Sequence, residues 1–462
     1  MTTGWPTRKL GEITSKVGSG STPRGGEAVY KAAGIPLIRS MNVHFAAFRA
    51  DGLAYLDQKE AAKLDHVVVQ AHDVLLNITG ASIGRVTTAP ASLSGARVNQ
   101  HVCIIRPAPG LSAQFLANFL ASPDQQARVF NVQVGATRQA LTKSMILDWS
   151  VPIPPIAEQH AIVAEIEKQF TRLDAGVAAL RKAQAKLKRY RAAILKAACE
   201  GRLVPTEAEL ARKDGRAYET GEQLLARTLV ERRANWTGRG KYTEPNTPDI
   251  ADLPALPNGW TWATVEQLSS RVQYGSSAKT RERPIGIPVV RMGNIAEGRL
   301  HLQSVKYLPV AHSEFPELLL TSGDLLFNRT NSAELVGKTA VYHGTPRPCS
   351  FASYLIRVRL IDGCLPDYIA YFINSPLGRA WIASVASQQV GQANVNGTKL
   401  QALRIPLPPE AEQERIVAEV ERRLSIVAAL EQVVTANLQR AARLRQSILD
   451  RAFTGRLVNA LD

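Results

Sequence analysis

One stretch of this chain occurs twice, and it constrains the fold more than any other feature. Pro154-Pro155-Ile156-Ala157-Glu158-Gln159 opens an apolar-periodic run that closes at Gly201-Arg202-Leu203-Val204. Pro408-Pro409-Glu410-Ala411-Glu412-Gln413 opens a second, closing at Gly455-Arg456-Leu457-Val458. The copies align without a gap, each residue of the second lying 254 positions after its counterpart. Within the first, Val163, Ile166, Phe170, Leu173, Val177, Leu180, Gln184, Leu187, Arg191 and Ile194 follow heptad spacing. Val417, Val420, Leu424, Val427, Glu431, Val434, Leu438, Ala441, Arg445 and Ile448 repeat the phase. Such spacing puts a narrow apolar seam on a long helix that needs a partner helix. The paired prolines suit a helix start, Glu158 and Gln159 suit its first turn, and Gly201 and Gly455 suit its stop. Two rods of roughly 65 Å in one chain most simply pair with each other, as an intramolecular antiparallel coiled coil. Glu431 facing Arg191 across the pair would fix its register, whereas partly exposed seam ends would explain the same polar residues.

The rest of the chain repeats as well, less strictly. Residues 1–152 carry short β-rich runs between polar loops: Gly34 to Arg39, Val67 to Gln70, Asp73 to Ile78 and Val102 to Arg106. Leu111 to Leu120 has the pattern of a short amphipathic helix. The first long helix occupies 153–205. Residues 206–258 are a connector with a helix near Gly221–Asn235, followed by Pro-rich coil that predicts an extended tether. Residues 259–404 restart the pattern: Gly259-Trp260 echoes Gly4-Trp5, Gly286 to Arg291 repeats Gly34 to Arg39, and Gly323 to Thr330 repeats His72 to Thr79. The second long helix occupies 405–462. The offset drifts in the globular parts and stays constant in the helices, so the helices share one job while the globules do related but different ones. The fold class expected is α+β: two tandem-repeat α+β domains separated by two long helices, with a pseudo-two-fold axis and a globule toward each end of the rod. That symmetry suits duplex DNA with two unlike half-sites.

Composition narrows the function. Among 462 residues the net charge is +16, which in a folded protein points to a polyanion, most often nucleic acid, or to an acidic protein surface. No apolar run approaches the ~20 residues that span a bilayer, and Met1 to Pro6 has no signal-peptide pattern. Cys103, Cys199, Cys349 and Cys364 form no C-x-x-C pair. We read them as reduced thiols in a cytoplasmic protein.

Catalytic signals are poor, and no catalytic residue, cofactor or metal is expected. Gly337-Lys338-Thr339 resembles the end of a phosphate-binding loop, but Ser332 stands where its first glycine belongs. Pro154-Pro155 and Pro408-Pro409 lack the flanking Asn or Asp and the aromatic of an amino-methyltransferase site. The eight histidines are scattered singly.

The order of features resembles the DNA-specificity subunit of type I restriction–modification systems. The matching pieces are Gly18-Ser19-Gly20-Ser21-Thr22-Pro23, Gly34-Ile35-Pro36, Asp73 to Asn77 leading to Gly80-Ala81-Ser82-Ile83-Gly84, Gly135-Ala136-Thr137, and the twin Pro-Pro-x-Ala-Glu-Gln helices. The resemblance implies a non-catalytic subunit whose two target-recognition domains read a split DNA sequence. Its helices would set their spacing and bind two adenine-methyltransferase (modification) subunits, with room for motor–nuclease (restriction) subunits. The second half departs at Tyr274 to Lys279 and at Gly391 to Asn394, which puts the recognised bases rather than the role in question.

Side chains able to pair with bases or phosphates occur in matching loops. In the first half these are Ser21, Thr22, Arg24, Arg39, Asn42, Asn77, Thr79, Arg85, Arg138, Gln139 and Lys143. In the second they are Ser276, Ser277, Lys279, Arg281, Arg291, Asn294, Asn328, Arg329, Asn331, Lys338, Gln392 and Asn394. Each could equally stabilise its loop. Three functions remain: a specificity subunit binding double-stranded DNA, a coiled-coil scaffold joining two acidic protein partners without reading sequence, and a self-sufficient nucleic-acid enzyme.

Overall fold

Strand alternation and helix periodicity sort the chain into two compact units in a computed structural model that describes residues 4–45, 47–133, 140–236, 240–389 and 391–457. One unit comprises residues 1–182 with 434–462, the other residues 183–433. Each long helix contributes to both.

In the first unit a four-stranded antiparallel sheet has the order Thr14–Ser19, Val102–Pro107, Val74–Asn77, Val86–Thr88. Successive side chains on a strand point to opposite faces. Val74, Leu76, Cys103 and Ile105 therefore face one core with Phe115, Leu116 and the long helices, while Leu75, Val102 and Ile104 face another. The second core is closed by a three-stranded layer, Ala54–Leu56, Ile35–Ile38 and Arg97–Val98, through Leu37, Ile38, Leu56 and Val98. Thr7–Lys9 pairs with Ser150–Pro152 and brings the two ends of the globule together.

The second unit repeats this layer by layer. Its sheet runs Ser269–Tyr274, Leu355–Leu360, Asp324–Asn328, Thr339–Tyr342, with Lys306–Leu308, Ile287–Val290 and Ser350–Phe351 as the second layer. Leu325, Phe327, Ile356 and Val358 face the helices; Leu326, Tyr342 and Leu355 face away. A salt bridge recurs as well: buried Asp73 takes two hydrogen bonds from Arg106, at 2.7 and 2.8 Å, and buried Asp324 takes two from Arg359, at 2.8 and 3.0 Å. Some core positions differ in kind. Arg357 stands where the first unit has Ile104, only 1% exposed, and burial pulls its guanidinium down to about 10 despite Asp324 nearby.

The long helices span Ile156–Cys199 and Glu410–Phe453. In the first unit Ile162, Ile166 and Phe170, early in one helix, share a core with Ile448, Leu449 and Ala452, late in the other. In the second unit Ile194, Leu195 and Ala198, late in the first helix, share a core with Ile416, Val420, Leu424 and Val427, early in the second. Start meets end in both units, so the pairing is antiparallel. Of the expected seam, Ile166, Phe170, Ile194, Val420, Leu424, Val427, Val434, Ala441 and Ile448 are buried. Val163, Leu173, Val177, Leu180, Leu187, Val417 and Leu438 are half-buried, and Gln184 is exposed. Arg191 donates to Glu431 at 3.0 Å and lies 3.5 Å from Glu297. Arg445 lies 4.3 Å over the Phe170 ring and pairs with Asp174.

The repeated Glu-Gln at each helix start ties helix to globule. Trp5 Nε1 donates to Glu158 at 3.1 Å, and Trp260 Nε1 to Glu412 at 3.0 Å. Gln159, fully buried, accepts from the Ser112 N–H at 2.8 Å and donates to the Gly110 and Pro154 carbonyls. Gln413, also fully buried, accepts from the Leu365 N–H at 2.9 Å and donates to the Gly363 and Pro408 carbonyls at 3.1 Å each. At the far ends, Gly201 (φ +64°) and Gly455 (φ +74°) take the left-handed turn, and the Arg202 and Arg456 N–H groups reach back to the Ala197 and Arg451 carbonyls at 2.9 Å each.

One expectation changes. Residues 67–70 form a 3-10 turn (Asp65–Val67) and a single bridge from Val68 to Arg97 rather than a strand, because the Gln70 N–H is drawn to Asp73 at 2.7 Å. In the connector the expected helix is present, a second one precedes it, and residues 240–257 form neither helix nor strand. Its helices Glu207–Asp214 and Gly221–Ala234 dock on the second unit, where Leu224 is fully buried and Glu207 donates from its N–H to Glu412 at 2.8 Å. Against the cost of burial, Arg216 and Arg415 hold the Glu207 carboxyl below the ordinary range. Further along, Thr264 Oγ1 donates to the Asn246 carbonyl and Arg404 to that of Asp249.

Replacing Gln413 with Ala leaves one buried N–H and two carbonyls without partners, and is expected to cost about 2–4 kcal/mol. Replacing exposed Gln432 with Ala should change stability by less than about 0.5 kcal/mol. Urea unfolding of both variants beside the parent chain checks the difference.

Candidate nucleic-acid interface

Antiparallel register brings the polar loops of each unit to one end of its four-stranded sheet. In the first unit Ser19 is opposite Cys103, Val102 is opposite Asn77, and Leu76 is opposite Val86. The loops after Ser19 and Asn77 and those before Val86 and Val102 therefore emerge side by side. The same holds in the second unit, where Tyr274 is opposite Ile356, Leu355 opposite Asn328, and Phe327 opposite Thr339. The backbone crosses closely here. A Cβ on Gly20 would lie 1.7 Å from the Val98 carbonyl oxygen, and one on Gly275 would lie 2.4 Å from that of Phe351. Only glycine allows these crossings.

Five of the expected contact residues are instead buried, and their polar groups hold the loops. Asn42 accepts from the Arg39 N–H at 3.0 Å and donates to the Arg49 and Asp51 carbonyls. Asn294 does the same with the Arg291 N–H at 2.9 Å and the His301 and Ser304 carbonyls. Asn77 donates to the Ser40 carbonyl and to Ser82 Oγ, and Asn328 to the Leu335 carbonyl. Ser276 accepts from the Ala278 N–H. Asn and Ser satisfy turns as readily as they read bases, so the residue type alone could not separate the roles. Arg39 and Arg291 are intermediate cases, half-buried and bonded to the Gly52 and Ser304 carbonyls, with Arg39 stacked 5.2 Å from the Tyr30 ring.

The others reach solvent. Ser21, Arg24, Lys143, Ser277, Lys279, Arg281 and Gln392 are exposed; Thr22, Thr79, Arg85, Arg329, Asn331, Lys338 and Asn394 are half-exposed. Arg85 and Lys338 are structural counterparts, their carbonyls accepting from the Asn77 and Asn328 N–H groups at 2.8 and 2.9 Å. Lys338 leads into a strand, Thr339–Tyr342, not into the helix a phosphate-binding loop requires. Thr330–Asn331, Gln392–Asn394 and Ser387–Gln389 form a small three-stranded sheet at this end, with Asn394 donating to Thr330 Oγ1 at 2.6 Å. Arg138 and Gln139 lie outside the described residues, as do Gly135 to Thr137.

Two residues missed from sequence sit at the centre of the first unit's cluster. Thr22 donates to Gln100, Gln100 contacts His101 at 3.2 Å, and His101 Nδ1 contacts Thr79. With the Gln100 amide donating to Nε2, Nδ1 carries the imidazole proton and the Thr79 hydroxyl is left to donate outward. Gln100 and His101 precede a buried strand, and only the register shows that they adjoin Thr22 and Thr79. Among the described residues no group of three or more His, Cys, Asp or Glu side chains could hold a metal ion, and no helix is long and apolar enough to cross a membrane. All four cysteines are free and buried, and burial pushes each thiol up to about 12.

Comparisons with known proteins agree with this architecture. The family described as the type I restriction modification DNA specificity domain matches residues 2–187 and 273–436. The specificity subunit of the type I restriction enzyme EcoKI from Escherichia coli K12 is 25% identical, the alignment covering 98% of this chain and 89% of the relative. That of StySPI from Salmonella potsdam is 23% identical over the same shares. Among solved structures, a chain from work on complex assembly and conformational transition of the type I R-M system superposes with a TM-score of 0.67 at 20% identity, covering 98% of both chains. The HsdS subunit from Thermoanaerobacter tengcongensis superposes with a TM-score of 0.50 at 21% identity, covering 98% of this chain and 97% of that one. With the family matched in both halves and the repeated α+β fold in common, this chain belongs to the type I restriction–modification DNA specificity family.

Proposed function

We propose that the chain is a non-catalytic subunit that recognises a bipartite, asymmetric site in double-stranded DNA. Its target-recognition domains, residues 1–152 and 259–404, read the two parts. It recruits two adenine-methyltransferase subunits, and in a restricting complex motor–nuclease subunits as well, so that catalysis belongs to the partners. The observation that carries this reading is the pair of equivalent sheet ends. One scaffold presents the Thr22-Gln100-His101-Thr79 chain in the first unit, and in the second Arg329 over the Tyr274 ring with Asn394 bonded to Thr330. Like backbones with unlike polar side chains suit the reading of two unlike half-sites. A scaffold for acidic proteins would have no need of the difference. The net charge of +16 supplies the non-specific attraction to phosphates. Reading belongs in the major groove, where all four base pairs are distinguishable and the adenine amino group is accessible. The methylated adenine leaves the stack and is held by the partner subunit.

Mapping N6-methyladenine in the host genome with and without this gene tests the proposal. Loss of one split motif on deletion is expected. An unchanged methylome, with the methyltransferase shown to be expressed, would sink it. On this reading Arg85 and Lys338 contact phosphates. Replacing either with Ala should weaken binding to every duplex alike and reduce the slope of log affinity against log salt by about one. Fluorescence anisotropy of a labelled target across a salt series measures both.

A further inference from the structure

We infer that Arg329 reads a guanine in the part of the DNA site assigned to the second unit, an inference that rests on the proposed DNA-reading function. The backbone places this residue at the sheet end with little freedom. Its N–H donates to the Tyr354 carbonyl at 3.0 Å, and its own carbonyl accepts from the Val395 N–H at 2.9 Å. Its guanidinium lies 4.8 Å from the centroid of the Tyr274 ring. That ring is itself fixed, since Tyr274 Oη accepts from the Gly397 N–H at 2.8 Å.

The stack restrains the guanidinium and leaves its edge available. Among the described residues its polar contacts amount to one weak bond, from Nη1 to the Ser353 carbonyl at 3.5 Å; Nε is buried without a partner. A planar fork with two uncommitted N–H groups matches the O6 and N7 acceptors of guanine in the major groove. Stacking on tyrosine removes much of the side-chain freedom that binding would otherwise have to freeze. Tyr274 is 42% exposed, so the stacked guanidinium lies on a ring open to solvent.

The repeat shows that this arrangement is not part of the common scaffold. Ile78 is the counterpart of Arg329, with its N–H on the His101 carbonyl and its carbonyl accepting from the Leu141 N–H, both at 2.9 Å. Ile78 is 8% exposed and packs in the core. Ser19 occupies the place of Tyr274, and His101 that of Tyr354. Arg357 also replaces an apolar residue of the first unit, but it spends its guanidinium on the Leu319 and Glu317 carbonyls, whereas Arg329 has no such bond among the described residues beyond the weak one to Ser353. Here an apolar core residue gives way to a restrained cation.

The test selects from a random pool of duplexes with the full-length chain bound to its methyltransferase subunit, then sequences what is retained. The parent complex should enrich one split motif. With Arg329→Gln, one guanine position in one part should become degenerate, its discrimination falling about 10–100-fold, while the other part is unchanged. An unchanged motif would overturn the inference and leave the proposed function standing. Failure of the parent complex to enrich any split motif would overturn both. Should Arg329→Gln bind nothing or lose its melting temperature, Arg329→Lys decides the matter. Lysine keeps the charge and loses the fork, so relaxation of one guanine position supports base reading. An unchanged motif with Lys makes the residue a phosphate contact and overturns the inference.

Discussion

Each unit depends on one buried amide. Gln159 and Gln413 are fully enclosed, and each must accept one hydrogen bond while donating two. A glutamate could not donate, and an asparagine is one methylene too short to span the same groups. The amide joins the carbonyl of the first proline of the pair to a loop on the globule, and so ties the helix start to the α+β layers. The neighbouring glutamate holds a tryptophan from the first strand region in the same way. This explains why Pro-Pro-x-Ala-Glu-Gln is retained at a fixed offset while the globules drift around it.

Much of this was legible in the sequence, for reasons that differ by element. The long helices, their antiparallel seam and their glycine stops could be read because heptad spacing and cap residues are local properties. The Glu-Gln pair was legible as a helix start, although its meaning was not: favourable first-turn groups proved to be a lock on a distant loop. The connector helix was legible from its local pattern, whereas the surface that buries Leu224 is formed by residues far along the chain. At the sheet ends, Asn42 and Asn294 could not be told from Asn394 by type. Gln100 and His101 became visible only through strand register.

The two units also show which positions of the scaffold can change. Asp73 with Arg106, and Asp324 with Arg359, remain as buried bidentate pairs, since removing either partner strands a charge. Ile104 can become Arg357 because the added guanidinium finds the Leu319 and Glu317 carbonyls. Tolerance at the sheet end is wider still, because those side chains meet solvent rather than a packed neighbour.

The division of the helices between units reverses the order in which the protein is completed during synthesis. The second unit is one continuous stretch, residues 183–433. The first is discontinuous: Ile448, Leu449, Ala452 and Leu457 belong to its core, and Phe453 packs edge-on against Phe115 and Phe119. A ribosome that has passed residue 433 has supplied everything the second unit needs, while the globule made first still exposes the apolar face awaiting these residues. The nascent chain thus carries an unfinished core through the translation of more than half its length, and a truncation in the last helix would damage the part of the protein encoded first.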